Sequence, residues 1–283
     1  MRYELIREIA TGGMATVLLA RDRQSGGLVV LKRVLPHLAE EPDFVAMFKE
    51  EAALAARLDH PNVVRVIGHA MDAGAPVLVL EHLEGVDLAF VLSALTREQR
   101  GLPQDVLAHV VGRAASGLAY VHAACGADGA PLHIVHRDVS PPNLFFTFEG
   151  AVKLLDFGIA KTRDTLTRTS AGVARGKAGY LAPEQTSGSR VTAASDVFAL
   201  GVVAWELAAG RRLFERDTPA ASAWAAANEP AWPLASFRPD LPFAGLIDRC
   251  LAKFHGHRPP ATALASLPQA TGAACEWLFA RLG

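Results

Sequence analysis

The stretch Ile134-Val135-His136-Arg137-Asp138-Val139-Ser140-Pro141-Pro142-Asn143, followed thirteen residues later by Asp156-Phe157-Gly158, constrains this 283-residue chain more than any other feature. An acid, an amide and a second acid recur there in fixed order. Asp138 is a carboxylate able to accept or orient the proton of a hydroxyl. Asn143 offers a neutral oxygen and Asp156 a charged one, both hard ligands suited to Mg²⁺. Either tripeptide alone would read as an ordinary polar loop; the ordered pair points to one site.

The remaining bulk features mostly exclude. The length suits one large domain or two small ones, with ample chain for a buried core. Formal net charge is -1, which gives no footprint for nucleic acid. Cys125, Cys250 and Cys275 lie far apart, fit no zinc spacing, and are odd in number, which argues for reduced thiols and a cytoplasmic setting. Met1-Arg2-Tyr3-Glu4 leads directly into a strand pattern without a signal-peptide core. The longest apolar run, near Val197–Leu207, is interrupted by Glu206 and too short for a bilayer span, so no membrane partner is expected. His255 and His257 read as residues of a solvated loop. No repeat, sensor, linker or anchor is expected within the 283 residues.

Periodicity supplies the elements. Residues 3–9, 16–20, 28–34, 63–69 and 77–81 are rich in branched and apolar residues and predict five strands. Phe44, Phe48, Ala52, Ala55 and Leu58 recur at helical intervals and predict a helix over Pro42–Leu58. Leu107, Val110, Val111, Ala114, Leu118 and Val121 predict another over 104–124, and a final helix is expected over 271–283. Residues 195–207 predict a buried helix, in which Asp196 must be hydrogen-bonded or very costly. Gly126–Leu132 carries turn residues and predicts a surface loop.

With His-Arg-Asp, the Asn five residues on, Asp-Phe-Gly, and Ala182-Pro183-Glu184, the chain resembles the Hanks-type, eukaryotic-like Ser/Thr protein kinases of bacteria over about residues 3–270. The resemblance implies an α+β, bilobal kinase fold. A five-stranded antiparallel N-lobe with helix C would occupy residues 1–81, and a mainly helical C-lobe residues 82–283. It implies ATP with Mg²⁺, or Mn²⁺ in its place, and a protein substrate with a Ser or Thr acceptor. Phosphoryl transfer asks the protein chiefly to position groups and neutralise charge.

Residue by residue, the resemblance makes Asp138 the catalytic aspartate that accepts or orients the hydroxyl proton, and Asn143 and Asp156 the metal ligands. Ala10-Thr11-Gly12-Gly13-Met14-Ala15, then Val17, stands where the phosphate loop belongs, with alanines at two of its three glycine positions. Val29-Val30-Leu31-Lys32 matches the strand whose lysine pairs with phosphates and a helix glutamate. Glu51 is the chosen partner; Glu50 lies about 100° around the helix. Backbone groups near Glu81 and Leu83 would bind adenine, Leu80 is the gatekeeper, Val17 and Val30 form the adenine roof and Phe145 its floor. Arg137 would await a phosphate on Thr165, Thr167, Thr169 or Ser170, with self-association allowing autophosphorylation in trans. Arg258 would pair with Glu184, and Asp196 would brace the catalytic loop.

Two departures look like damage. The lysine usual two positions after the catalytic Asp is Ser140, and the threonine usual in Gly-Thr-x-x-Tyr is Lys177. Hydroxyl and ammonium have exchanged places, so Lys177 is expected within roughly 4 Å of an Asp138 oxygen, the ion-pair range. With Lys32, Glu51, Asp138, Asn143 and Asp156 all present, the sequence favours an active kinase. The altered phosphate loop and crowded adenine slot leave a nucleotide-sensing or scaffold module as the second reading.

Overall fold

The computed structural model describes residues 2–72, 75–156 and 176–282. The described chain divides into two compact units, with the first break between Glu84 and Gly85.

The first unit is a five-stranded antiparallel sheet: β1 (Tyr3–Thr11), β2 (Ala15–Asp22), β3 (Leu28–Val34), β4 (Val66–Asp72) and β5 (Ala75–Glu81), in spatial order β1-β2-β3-β5-β4. Residues paired directly across antiparallel strands share a face. The pairing Leu18↔Leu31↔Val79, with Ala20, Val29 and Val77, makes a closed apolar cluster against Tyr3 and Ala70. The opposite face carries Val17↔Lys32↔Leu78 and Leu19↔Val30↔Leu80. Two short helices follow β3: α1 (Pro36–Ala39) and α2 (Pro42–Ala55), the latter packed on β4 and β5 through buried Phe48, Ala52 and Ala55.

The boundaries differ from expectation in instructive ways. The first hairpin extends to Thr11↔Thr16, beyond the apolar run, because polar residues serve well on an exposed ladder. The helix stops at Ala55, three residues early, where Ala56 N donates to Ala52 O and the chain turns toward Asp59-His60-Pro61-Asn62. Val63 and Val64 are buried, yet they pack as a loop: Val63 N donates to His60 O, and Asn62 N to His60 Nδ1. The fourth strand therefore starts at Val66 and runs as an edge whose alternate residues face solvent.

The second unit is mainly helical around a small sheet, β6 (Gly85–Asp87), β7 (Leu144–Thr147) and β8 (Val152–Leu154), which the strand patterns did not announce. Its helices are α3 (Leu88–Glu98), α4 (Gln104–His122), α5 (Pro183–Thr186), α6 (Ala193–Ala209), α7 (Pro219–Asn228), α8 (Ala244–Cys250), α9 (Ala261–Ala265) and α10 (Thr271–Leu282). Helix α3 is capped by Asp87, whose Oδ1 accepts from Phe90 N at 2.7 Å. Helix α6 is buried from Ser195 to Ala208 and ends at Gly210 with φ 65°. A side chain there would put its Cβ 2.5 Å from Arg100 O, so only glycine closes this helix. Helices α6, α9 and α10 pack on α4. Beyond α4 an exposed loop is closed by a bridge between Cys125 and Pro131.

Candidate active site

The β7–β8 hairpin brings the sequence-distant Asn143 and Asp156 to one end. Leu144 pairs with Leu154, and beyond that pair Leu155 N donates to Asn143 O at 2.8 Å. Asn143 enters from a single 3₁₀ turn, Pro141–Asn143, and Asp156 lies one residue past the last ladder bond with φ 48°. That left-handed backbone is uncommon for a residue with a side chain. Phe157 and Gly158 lie outside the described residues.

The loop before Asn143 is fixed from beneath by one carboxylate. Asp196 Oδ1 accepts from Arg137 N, and Oδ2 accepts from His136 N and contacts His122 Nε2, all at 2.8 Å. This meets the cost of burying a charge inside α6 and holds Arg137 at φ 65°. His136 is wholly buried. Its Nε2–H donates to Leu155 O at 2.8 Å, and its Nδ1 accepts from Asp138 N at 3.3 Å. Burial pulls the His136 pKa down, against the attraction of Asp196 and Asp138, in keeping with this neutral tautomer.

Asp138 sits at the centre. Asn143 Nδ2 donates to its backbone O and to its Oδ2, each at 2.8 Å. Lys177 Nζ lies 2.9 Å from the same Oδ2, inside the roughly 4 Å expected, and 3.3 Å from Asn143 Oδ1. The two side chains of the ion pair are only 23% and 12% exposed, so water screens them less than a surface pair. Ser140 is buried, its Oγ donating to Asp138 O at 3.4 Å. The ammonium at Asp138 thus comes from residue 177 and the hydroxyl from residue 140.

Neighbouring contacts fix the segment that carries Lys177. Glu184 receives Arg258 through two bonds of 2.6 and 2.9 Å and Ser195 Oγ at 2.6 Å. Burial acts to raise the Glu184 pKa, but Arg258 and Ser195 outweigh it and the carboxyl ends below its usual range. The expected Glu184–Arg258 pair is therefore a buried fork. Two further ties were not read from sequence. Gln185 donates to Arg137 O at 3.1 Å and accepts from Ala182 N at 3.0 Å; its place just after Ala-Pro-Glu was the available signal. Tyr180 OH donates to Glu206 Oε2 at 2.6 Å, and Arg212 joins both. Nothing in local spacing links those three.

In the first unit, Lys32, Val17 and Val30 share one sheet face, with Leu80 beside Val30. Ala10 pairs with Val17, and Gly12 N donates to Ala15 O at 3.0 Å to close the hairpin holding Gly13. Helix α2 contains Glu51, whose side chain lies outside the described residues, as do Thr165, Thr167, Thr169 and Ser170. Glu50 is exposed. Glu81 Oε1 accepts from Arg65 N at 2.8 Å, and Leu83 is half-buried. In the second unit, Phe145 is half-buried between Asp87 and Lys153 on the small sheet.

Among the described residues, no three or more His, Cys, Asp or Glu gather into a metal site. A divalent ion here would depend on Asp156, on whatever oxygen Asn143 can spare, and on phosphate oxygens, a donor set Mg²⁺ accepts. Asp156 fits that role; Asn143 Oδ1 already faces an ammonium.

Comparison with known proteins finds the protein kinase domain family matching residues 3–268. The tyrosine-protein kinase MasK of Myxococcus xanthus is 42% identical over 243 residues, covering 85% of this chain and 38% of that protein. The serine/threonine-protein kinase PknA of Mycobacterium tuberculosis is 39% identical over 246 residues, covering 85% of this chain and 54% of PknA. The chain thus spans about half or less of the curated relatives it matches. Among solved structures, the PknI kinase domain of Mycobacterium tuberculosis aligns with a TM-score of 0.68 and 28% identity, over 97% of this chain and 95% of that one.

Proposed function

We propose, from the premise that the chain belongs to the protein kinase domain family, that it transfers the γ-phosphate of ATP to Ser or Thr hydroxyls of a protein substrate. The observation that carries this reading is the Asp138 carboxylate, fixed by Asn143 and Lys177 on a loop anchored by Asp196. Asp138 orients the acceptor hydroxyl and takes its proton. The Lys177 ammonium faces the charge that develops on the transferring group, where one well-placed contact is worth about 3 kcal/mol. A divalent ion, Mg²⁺ or Mn²⁺, would supply neutralisation of phosphate charge, with Asp156 presenting a charged oxygen of the kind it takes and Asn143 a neutral one that Lys177 already contacts.

In the first unit, Lys32 with Glu51 holds the α- and β-phosphates. Ala10, Gly12 and Gly13 lie along them, and Val17, Val30, Glu81 and Leu83 receive the adenine. Residues 1–81 and 82–283 act as the two lobes. Arg137, exposed at the loop, awaits a phosphate placed on Thr165, Thr167, Thr169 or Ser170 by a second copy in trans. Cytoplasmic action is part of the proposal; no described helix is long and apolar enough to cross a membrane.

The test is transfer from labelled ATP with Mg²⁺ by purified protein beside Asp138→Asn. Label transfer should vanish in the variant; transfer that survives would assign the chemistry to another base. One observation favours a second reading: the relative at 42% identity is named a tyrosine kinase. Phosphoamino-acid analysis of the product separates the two, with phosphoserine and phosphothreonine expected.

A further inference from the structure

The Asn143 amide is held in one orientation. Both bonds from Nδ2 go to Asp138, one to the backbone oxygen and one to Oδ2, so Oδ1 is directed to the other side. There it meets Lys177 Nζ at 3.3 Å, while the same Nζ lies 2.9 Å from Asp138 Oδ2. The ammonium bridges the catalytic carboxylate and the oxygen that the sequence assigns to a metal.

The root of that lysine is fixed. Lys177 immediately precedes the 3₁₀ turn Ala178–Tyr180, in which Ala178 is buried and the Tyr180 hydroxyl is bonded to Glu206. Ser140 cannot take over the charge, being a buried hydroxyl turned toward Asp138 O.

A divalent ion and this ammonium compete for the same oxygen. Mg²⁺ demands oxygens at about 2.0–2.1 Å in near-octahedral array. An ion on Asn143 Oδ1 would stand within a few ångströms of Nζ, and charges that close repel strongly wherever water is partly excluded. An ammonium on a four-carbon stem already supplies one positive charge at the position, with donors for phosphate oxygens.

We propose that Lys177 stands in for a metal ion at Asn143, so that this kinase takes one divalent ion per nucleotide, held through Asp156. The inference rests on the kinase reading and deepens it.

Mn²⁺ serves as the probe, its free concentration read by electron paramagnetic resonance while the protein is saturated with a non-hydrolysable ATP analogue. Wild type should bind one Mn²⁺ per protein–nucleotide complex. Lys177→Met, which keeps the stem and removes the charge, and Lys177→Thr should each bind two. Asn143→Ala should leave the wild-type count at one, and in the Lys177→Met background should return it from two to one. Thermal melting identifies any variant that fails to fold, and the wild-type and Asn143→Ala counts then decide alone. Two ions in wild type would overturn the proposal while leaving the kinase reading intact, as would one ion in folded Lys177→Met and Lys177→Thr, or a count in Asn143→Ala that falls below that of wild type. Failure of wild type to bind the nucleotide analogue or Mn²⁺ would overturn both.

Discussion

The loop around Asp138 and the hairpin at Gly12 are both expected to handle phosphate, yet they are built in opposite ways. Around Asp138 the polar groups are tied to one another: Asp196 holds two backbone amides and His122, His136 uses both ring nitrogens, and Asn143 uses both ends of its amide. At the hairpin one backbone bond, Gly12 N to Ala15 O, closes the turn, and the strand leading into it is exposed. Over-determination suits a carboxylate that must present one oxygen in one direction. A backbone that must approach a ligand closely gains from having few side chains to move.

If the contrast is real, the largest effect belongs to the buried anchor. Asp196→Ala would strand two backbone donors and His122, at a cost of about 3–5 kcal/mol, a large share of a typical domain's stability. Urea denaturation should show that loss, with Asp196→Asn intermediate. A shift under 1 kcal/mol would mean that the loop is held by something else.

The next effect sharpens the contrast at the chemistry. Lys177→Thr should lower kcat by about 10²–10³-fold, as loss of one charge-stabilising contact does. Adding Ser140→Lys should restore much of it by returning the ammonium from the other side. Full activity in Lys177→Thr alone would sink the exchange of roles.

On the sheet, Val30→Ala should tighten ATP binding by about tenfold if Val30 crowds the adenine, the scale of about 1–3 kcal/mol for an overfilled slot. A fluorescent-nucleotide titration without gain would show a sheet already adapted. The smallest effect is expected at the hairpin. A Cβ on Gly12 would meet only Ala15 O, at 3.7 Å, an ordinary contact. Gly12→Ala should therefore move the melting midpoint by no more than the equivalent of about 1 kcal/mol. A large loss would remove the distinction between the two loops.

What could be read from sequence follows the range of the forces involved. The strand Leu28–Val34 was legible to the residue because its branched apolar run lies between turn signals. The hairpin that joins Asn143 to Asp156 was not, since strands as short as Val152–Leu154 carry too little pattern. Lys177 could be found because the exchange with Ser140 stood out against a known spacing. The Tyr180–Glu206–Arg212 cluster could not. Its members are up to 32 positions apart, and burial rather than any local preference pairs them. Val63 and Val64 misled for the reverse reason: apolar residues bury equally well without a ladder.

The bridged loop after α4 has a practical use. Cys125 is exposed there, three residues past the His122 that touches Asp196. Burial pushes the Cys250 thiol up to about 12, leaving it inert to alkylation at neutral pH, and Cys275 is half-buried. A fluorophore maleimide should therefore label Cys125 first. That attaches an optical reporter to the loop after α4 without altering a single residue of the sequence.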